Sequence, residues 1–506
     1  MDRPINRPAI TLCVMLATIM QALDTTIANV ALPYMQGTLS ASQDQINWVL
    51  TSYIVAAAIM TPPTGWLAQR FGRTRLFMFA VGGFTIASVL CGLAQSLDQM
   101  VLFRLLQGVF GASLVPLSQA VLLDINPREK QGAAMAIWGV GVMVGPIMGP
   151  TLGGWLTENY DWRWVFYINI PIGILTLFGM ATFLPETRRG GASRFDWFGF
   201  AMLSIGLASF QLMLDRGEQL DWFGSPEIVA ESVVAGLGFY LFIVQVLTSE
   251  KPFVSRRLFK DRNFVLGLVF IFMLGVVLLA TLALLTPYLQ TMMGYPVLDA
   301  GMVLAPRGIG TMLAMFLAGR AVGRIDTRLI ILGGLLIGAH AMWTMTGFTP
   351  DISQATIMTS GFEQGFGLGF VFVPLSTVTF STLTPELRTE ATGIYALCRN
   401  VGSSIGISVV MTLLQTNTQR NHAELASHVT QFNRLFQSGA AGLLWNPATP
   451  AGRAALDGTI TQQALAIAYI DDFKLMMMIS LASVPLLLLF RRPKQAAMAG
   501  HGAVLE

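Results

Sequence analysis

Residues 10–33 read ITLCVMLATIMQALDTTIANVALP, and this stretch decides the fold class. Crossing the hydrocarbon core of a bilayer takes about 20 mostly apolar residues, and the stretch has that length. Its only charged residue is Asp24. The run is too long for a cleaved signal peptide, and a carboxylate interrupts it. It therefore predicts a helix that crosses a membrane and carries an acid near its middle.

The rest of the 506-residue chain has the same character. Hydrophobic residues make up 54% and charged residues 12%, where a soluble domain carries about 25% charged residues. The net charge of +3 is too small to indicate a nucleic-acid partner. The three cysteines lie apart in apolar stretches, which predicts neither a disulfide framework nor a metal site. This composition excludes a soluble enzyme and a disordered chain.

Apolar segments of membrane-spanning length recur along the sequence. Twenty-two of the 31 Lys and Arg residues fall on the N-terminal side of these segments, and five fall on the opposite side. The positive-inside rule then predicts that both termini are cytoplasmic. Fourteen segments are predicted, at residues 10–33, 46–68, 76–94, 99–121, 131–156, 163–184, 197–214, 226–248, 263–289, 299–319, 328–346, 355–378, 390–413 and 468–490.

A repeat divides these segments. Residues 67–73 read LAQRFGR, and residues 317–324 read LAGRAVGR, which is the same pattern with one residue inserted. The repeat predicts an N-terminal six-helix half at residues 1–190 and a C-terminal six-helix half at residues 256–506. Residues 191–255 then form an inserted transmembrane hairpin, and a long outer loop lies at residues 414–467. Such repeats are typical of transporters.

Several motifs identify a family. Residues 23–33 (LDTTIANVALP), 65–73 (GWLAQRFGR), 104–108 (RLLQG), 141–154 (GVMVGPIMGPTLGG) and 161–173 (DWRWVFYINIPIG) carry the resemblance. They resemble motifs of the fourteen-span drug:proton antiporters of the major facilitator superfamily, EmrB branch. The loop motif places conformational roles on Gly65, Arg70, Gly72 and Arg73, and the antiporter motif places them on Gly141, Gly145, Pro146, Gly149 and Gly153. Gln69 stands where that loop motif usually has Asp, so a gating ion pair assigned to the Asp cannot be carried over.

The resemblance also implies a function and its partners. It implies export of small amphipathic drugs or toxic molecules across the inner membrane, driven by the proton gradient without a bound cofactor. Membrane lipid surrounds the protein, and a periplasmic adaptor protein with an outer-membrane channel would extend the export route. The alternative is an importer of the same fold, or a narrow-substrate exporter of a metabolite. An enzyme is not expected, because the four histidines are scattered and no nucleophile and base pair up.

Asp24 is the main candidate for proton coupling. It lies about 14 Å below the outer surface at 1.5 Å per residue, and acids at such depth usually face a cavity or a bundle interior. The substrate cavity is expected to include Gln21, Thr25, Asn29, Gln107 and Arg399, the first three sharing the Asp24 face. A packing hydrogen bond remains the structural alternative for Asp24. Arg104, at about 8 Å depth, is within reach as either a structural clamp or a switch.

Two further expectations concern pairing between helices. Arg307 and Glu363 lie at equal depth, about 12 Å, which predicts an ion pair. Glu363 is then either a passive counter-charge or a second proton or cation site. In the fifth span, Gly141, Gly145, Gly149 and Gly153 recur every four residues and form one smooth face. Small residues allow close helix approach, and we expect this face to pack on a helix of the other half.

Overall fold

A computed structural model describes residues 6–127, 130–185, 194–250, 252–429, 445–446 and 449–490. These residues fold into helices, with a single isolated β-bridge between Val322 and Ile325 among them. The helices are α1 Arg7–Thr38, α2 Gln43–Ile46, α3 Trp48–Met60, α4 Thr64–Phe71, α5 Arg73–Leu93, α6 Leu97–Gly111, α7 Leu114–Ile125, α8 Gln131–Asn159, α9 Trp164–Tyr167, α10 Asn169–Phe183, α11 Trp197–Arg216, α12 Pro226–Thr248, α13 Arg256–Lys260, α14 Arg262–Pro287, α15 Val297–Ala321, α16 Thr327–Met345, α17 Gln354–Phe380, α18 Pro385–Ser427 and α19 Pro450–Ala482.

The all-helical membrane fold expected from the sequence is confirmed. Within the described residues, 12 helical segments are long and apolar enough to cross a membrane, when α6 is counted together with α7 and α9 together with α10. The second predicted span, residues 46–68, is split into α3 and α4 by Pro62 and Pro63, because proline has no N–H to continue a helix. The shorter α3, with 13 residues, and α17, with 27 residues, are not among the 12.

Short polar side chains start many of the helices. The side chain of Asn6 accepts a hydrogen bond from the N–H of Ala9 at the start of α1. Asp196 begins α11 and Asp261 begins α14 in the same way. Each side chain satisfies one of the N–H groups that a helix leaves unpaired at its N-terminus. These caps fix where the chain re-enters the bundle.

Each half is a bundle of its own helices. In the first half α1 contacts α7, α8 and α10, while α3 and α5 pack on α6. In the second half α17 packs on α15 and α16, and α18 packs on α14 and α19. The halves meet where α8 contacts α15 and where α18 contacts α4 and α7. Helix α1 is therefore central to the first half.

The repeated loop sequence has a repeated conformation. Gly72 ends α4 with φ of 88°, and Gly323 follows α15 with φ of 88°. Positive φ strains residues that carry a Cβ atom, so glycine suits both turns. The two copies of the pattern therefore form turns with the same backbone twist at their glycines.

The described residues of the hairpin segment and of the long loop are also largely helical. Helix α11 packs on α12, where a Cβ atom at Gly238 would lie 2.8 Å from the Cα atom of Gly206. Helix α11 also touches α3 and α18. Helices α18 and α19 extend into the predicted loop at 414–467, so its described residues are largely continuations of the neighbouring spans. Residues 430–444 and 447–448 lie outside the described part of the chain.

Candidate functional site

Asp24 lies at the centre of a buried polar cluster in the first half. Its side chain is 0% exposed. The Oδ2 atom accepts a hydrogen bond from Nη1 of Arg104 at 2.7 Å. The Oδ1 atom accepts from Nε2 of Gln107 at 2.7 Å and from Nδ2 of Asn169 at 2.9 Å. Three donors therefore surround one carboxylate, an arrangement that matches its ionised form.

Arg104 is held in place by more than this acid. Its side chain is 1% exposed. Its Nε atom donates to the carbonyl oxygen of Val49 at 3.1 Å, and Nη1 also donates to Oε1 of Gln107 at 2.8 Å. The guanidinium lies 4.4 Å from the ring centroid of Tyr53, which is cation–π distance. The expected contact between Arg104 and Asp24 is present, with the arginine fixed from several sides.

Helix packing brings the cluster together. Asp24 comes from α1, Arg104 and Gln107 come from one face of α6, and Asn169 begins α10. Helix α6 approaches α3 closely because a Cβ atom at Gly108 would lie 2.5 Å from the carbonyl oxygen of Tyr53. The sequence indicated the first three residues of the cluster. It did not indicate Asn169, although this residue lies within the DWRWVFYINIPIG motif.

The other predicted cavity residues are not part of the Asp24 cluster. Gln21 donates from Nε2 to the hydroxyl of Tyr53 at 3.2 Å. Thr25 donates to the carbonyl oxygen of Ala22 on its own helix, and Asn29 is exposed. Arg399 lies in α18 of the other half, where its Nη2 atom is 3.5 Å from Oδ1 of Asn400. Of the predicted cavity residues, only Gln107 binds the acid directly.

The expected ion pair between Arg307 and Glu363 is wrong for this structure. Nη2 of the buried Arg307 donates to the carbonyl oxygen of Leu278 at 2.7 Å. Glu363 instead lies 3.1 Å from Nδ1 of His340, with both side chains exposed. Arg307 and Glu363 lie at the same depth, but they lie on helix faces that do not meet. Helix α17 presents Gly365 to Arg307, and Glu363, two residues away, lies about 200° round the helix.

The glycine face of α8 packs on α1, so the prediction that it packs on the other half is wrong. A Cβ atom at Gly145 would lie 2.4 Å from the carbonyl carbon of Ala22, and one at Gly149 would lie 2.2 Å from Oγ1 of Thr26. Gly141 and Gly153 also meet α1 residues. The side chain of Pro146 lies outside the described part of the structure. This face therefore supports the helix that carries Asp24.

The opposite face of α8 packs on the second half. A Cβ atom at Gly139 would lie 2.5 Å from the sulfur of Met315, and one at Gly132 would lie 2.9 Å from Cγ1 of Val322. The ring of Trp138 stacks on Phe372 with centroids 5.9 Å apart. Helix α8 thus joins the Asp24 helix on one side to the other half on its opposite side.

The loop motif at residues 65–73 lies where the two halves meet, and ion pairs and close packing join the halves there. Arg73 pairs with Asp124 at the end of α7, and Arg388 of α18 pairs with the same acid at 2.9 Å. A Cβ atom at Gly65 would lie 2.7 Å from the Cα atom of Glu390. Arg70 and Gln69 are exposed. Asp124, which the sequence did not single out, therefore carries an ion pair between the halves.

The groups of the Asp24 cluster can bind and release a proton, and they can form and break an ion pair. Among the described residues, no group of three or more His, Cys, Asp or Glu side chains is placed to hold a metal ion. The Asp24 cluster instead contains one acid, one guanidinium and two amides that can exchange hydrogen-bond partners. Such a cluster can alternate between an ionised acid bound by Arg104 and a protonated acid released from it.

Comparisons with known proteins agree with this architecture. The profile of the Major Facilitator Superfamily matches residues 14–407. The fatty acid resistance protein FarB of Neisseria gonorrhoeae is 36% identical, and the multidrug export protein EmrB of Escherichia coli (strain K12) is 37% identical. Each alignment covers 97% of this chain and 97% of the relative.

Solved structures share the fold at low sequence identity. The human organic anion transporter MFSD10 (TETRAN) superimposes with a TM-score of 0.60 at 15% identity, covering 94% of this chain and 100% of that one. The proton:xylose symporter XylE also gives 0.60 at 15% identity, with 96% and 99% covered. The family fold expected from the motifs is confirmed.

Proposed function

Because this chain belongs to the Major Facilitator Superfamily, a family of multi-pass membrane transporters, we propose that it exports small amphipathic molecules in exchange for protons. The names of the relatives, multidrug export protein and fatty acid resistance protein, support amphipathic compounds as the substrate class. The observation that carries the proposal is the buried Asp24, which is fully bonded to Arg104, Gln107 and Asn169.

Asp24 is the coupling acid in this proposal. With three donors around it, the carboxylate is stabilised as the anion, and a proton can bind only after some of those donors move away. Protonation from the outer side therefore accompanies a rearrangement of α1 against α6 and α10. Release of the proton to the cytoplasm restores the pair with Arg104. Arg104 acts as a switch in this cycle, and the static clamp is the state captured here.

Alternating access needs a contact between the halves that can open. The pairs of Arg73 and Arg388 with Asp124 lie where α5, α7 and α18 meet. With Gly65 packed on Glu390, they close the halves at this end of the bundle. We assign this end to the cytoplasm, since it carries the basic loops. Opening it would expose a central cavity to the cytoplasm.

The proposal includes a topology of fourteen spans. Helix α17 has 27 residues, and α3 and α4 together extend over residues 48–71. Both segments are long enough to cross a membrane, and they bring the 12 candidate spans to fourteen. This arrangement gives halves at residues 1–190 and 256–506, a hairpin at 191–255, and both termini in the cytoplasm of an inner membrane. A reporter enzyme active only in the cytoplasm, fused after residue 250, is expected to be active.

The extended helices α18 and α19 offer a contact surface on the outer side. They project into the segment 414–467, where His422 pairs with Asp457 at 3.0 Å. We propose this projection as the docking site of a periplasmic adaptor protein that leads to an outer-membrane channel. The expectation derives from the resemblance to the EmrB branch, and cross-linking from residues 420 to 427 would test it.

Efflux in inverted vesicles tests the function. With an imposed acid interior, a fluorescent lipophilic cation or a fatty acid is expected to enter vesicles that carry the native protein and to dissipate the pH gradient. Asp24→Asn is expected to abolish this movement, while Asp98→Asn, an exposed acid in the first turn of α6, leaves it intact. Movement in the opposite sense would favour the importer. Activity with a single metabolite alone would favour the narrow-substrate exporter.

A further inference from the structure

The last helix of the second half carries a buried acid that the proposed coupling does not use. Asp472 of α19 is 1% exposed. Neither Oδ1 nor Oδ2 of this carboxyl has a hydrogen-bond partner. Its sequence neighbour Asp471 is exposed. Asp472 is therefore enclosed by protein without any of the donors that Asp24 has.

Aromatic side chains enclose Asp472 at the outer end of the second half. Tyr469 and Phe473 flank it on α19 and are buried. Tyr469 meets Tyr288 edge to face with centroids 5.2 Å apart, and Phe473 meets Phe348 at 5.9 Å. We call these four residues the outer aromatic cluster. The hydroxyl of Tyr288 donates to the carbonyl oxygen of Thr349 at 2.9 Å, so it is already engaged.

The helices packed on α19 bring no described cation to Asp472. Helix α18 has no titratable side chain between Arg399 and Arg420, and α14 has none between Arg262 and its end at Pro287. On α16 the titratable residues are Arg328, which donates to the carbonyl oxygen of Phe490, and His340, which faces Glu363. On α19 itself, Lys474 and Asp471 are exposed. Among the described residues, the titratable groups that interact with the acid are thus Tyr469 and the acidic neighbour Asp471, and neither of them is a cation.

An ionised carboxylate in such a place would be a buried charge without compensation. That state is strongly unfavourable, whereas a neutral carboxylic acid is tolerated much better. We propose that Asp472 is a second proton-carrying site, which holds its proton in this conformation and exchanges it when the outer aromatic cluster opens. The inference rests on the proposed proton-coupled export and assigns a second proton to each cycle.

Two buried residues follow Asp472 inward along one face of α19. Met476 and Ser480 follow at four-residue intervals and are both buried. Ser480 lines a cavity between α14, α16, α17 and α19, about 12 Å further along the helix. Gln364 also lines this cavity, and its buried Oε1 atom has no hydrogen-bond partner. Met476 is thus the apolar separator between the acid and these polar atoms.

Infrared spectroscopy of the purified protein tests the protonation directly. At neutral pH, the difference between the spectra of the native protein and of Asp472→Asn is expected to contain the C=O stretch of one protonated carboxylic acid. Asp471→Asn is the matched control and should retain the band. The proposal is overturned if the native protein has no such band or if Asp472→Asn leaves the intensity of the band unchanged. Should that variant fail to fold, isotope labelling of aspartate must shift the band in the native protein.

Transport measurements test the second proton separately. Each coupled proton multiplies the sustainable substrate gradient by about ten per unit of pH difference. Asp472→Asn is therefore expected to retain energised efflux but to lower the maximum gradient about tenfold, and an unchanged gradient would overturn the coupling role. If the infrared band is present but the native protein moves no substrate, the proposed function fails, and with it the coupling role, while the buried proton stands.

Discussion

Asp24 and Asp472 are buried to the same degree, yet their surroundings are opposite. Asp24 is 0% exposed and accepts hydrogen bonds from Arg104, Gln107 and Asn169. Asp472 is 1% exposed and accepts none. The comparison teaches that burial alone does not give the charge of an acid in a membrane protein. The hydrogen-bond donors around the acid matter as well, and they differ between the two halves: Asp24 has three donors, and Asp472 has none.

The halves differ in a second way that follows from the first. In the N-terminal half the buried arginine meets the buried acid, whereas Arg307 of the C-terminal half meets a backbone carbonyl oxygen. Glu363, the acid expected beside Arg307, faces His340 with 42% of its side chain exposed. The first half thus contains a closed, buried ion pair, whereas Arg307 of the second half does not contact Glu363.

Arg104→Gln is expected to have the largest effect, because it would remove the cation that pairs with the buried Asp24. Removing one partner of a buried ion pair typically costs about 3–5 kcal/mol. We expect the free energy of unfolding to fall by about that amount, and efflux to stop. The double variant Asp24→Asn/Arg104→Gln should regain part of the stability, since it leaves no unpaired charge. Strictly additive losses in this double-mutant cycle would contradict the ion-pair account.

Gly145→Ala should have an intermediate effect by moving α1 rather than by changing a charge. The new Cβ atom would lie 2.4 Å from the carbonyl group of Ala22, so the helix backbones must separate. Overpacking of this kind costs about 1–3 kcal/mol. We expect a lower melting temperature and weaker energised efflux. Gly154→Ala on the same helix is the control, since nothing lies within 4 Å of its Cβ position, and an equal loss there would contradict the packing argument.

Glu363→Gln is expected to have the smallest effect, because this acid is exposed. It pairs with His340, and this pair does not include the buried Arg307. Energised efflux should stay within about twofold of the native rate in the vesicle assay. If Glu363→Gln abolished energised efflux as completely as Asp24→Asn, burial would not distinguish the coupling acids from the others. A coupling role would then belong to an acid that is neither buried nor enclosed.

The sequence alone predicted much of the fold and part of the site. Apolar length and the positive residues predicted the helical spans, and the repeated loop pattern matches the shared φ at Gly72 and Gly323. The estimated depths of Arg104 and Asp24 in the membrane correctly predicted that the two residues lie close together, because each residue of a helix advances 1.5 Å along its axis. These successes concern distance along an axis, which a sequence encodes directly.

The errors concern direction around an axis. The four glycines of α8 do form one face, but the sequence does not say which neighbour that face meets, and the structure places α1 there. Arg307 and Glu363 have equal depth on faces that do not meet. Asn169 and Asp472 were missed because an amide near a helix start and an acid beside Asp471 and Lys474 look like ordinary interfacial residues in a sequence.

Proton release on substrate binding tests the role of Asp24 most directly. Purified protein in a weakly buffered solution with a pH indicator would receive the substrate that dissipates the gradient in vesicles. The account predicts that binding to the native protein changes the bound-proton number, and that Asp24→Asn binds the substrate without this change while Asp98→Asn retains it. An unchanged proton signal in Asp24→Asn would contradict the assignment of the coupling acid to α1.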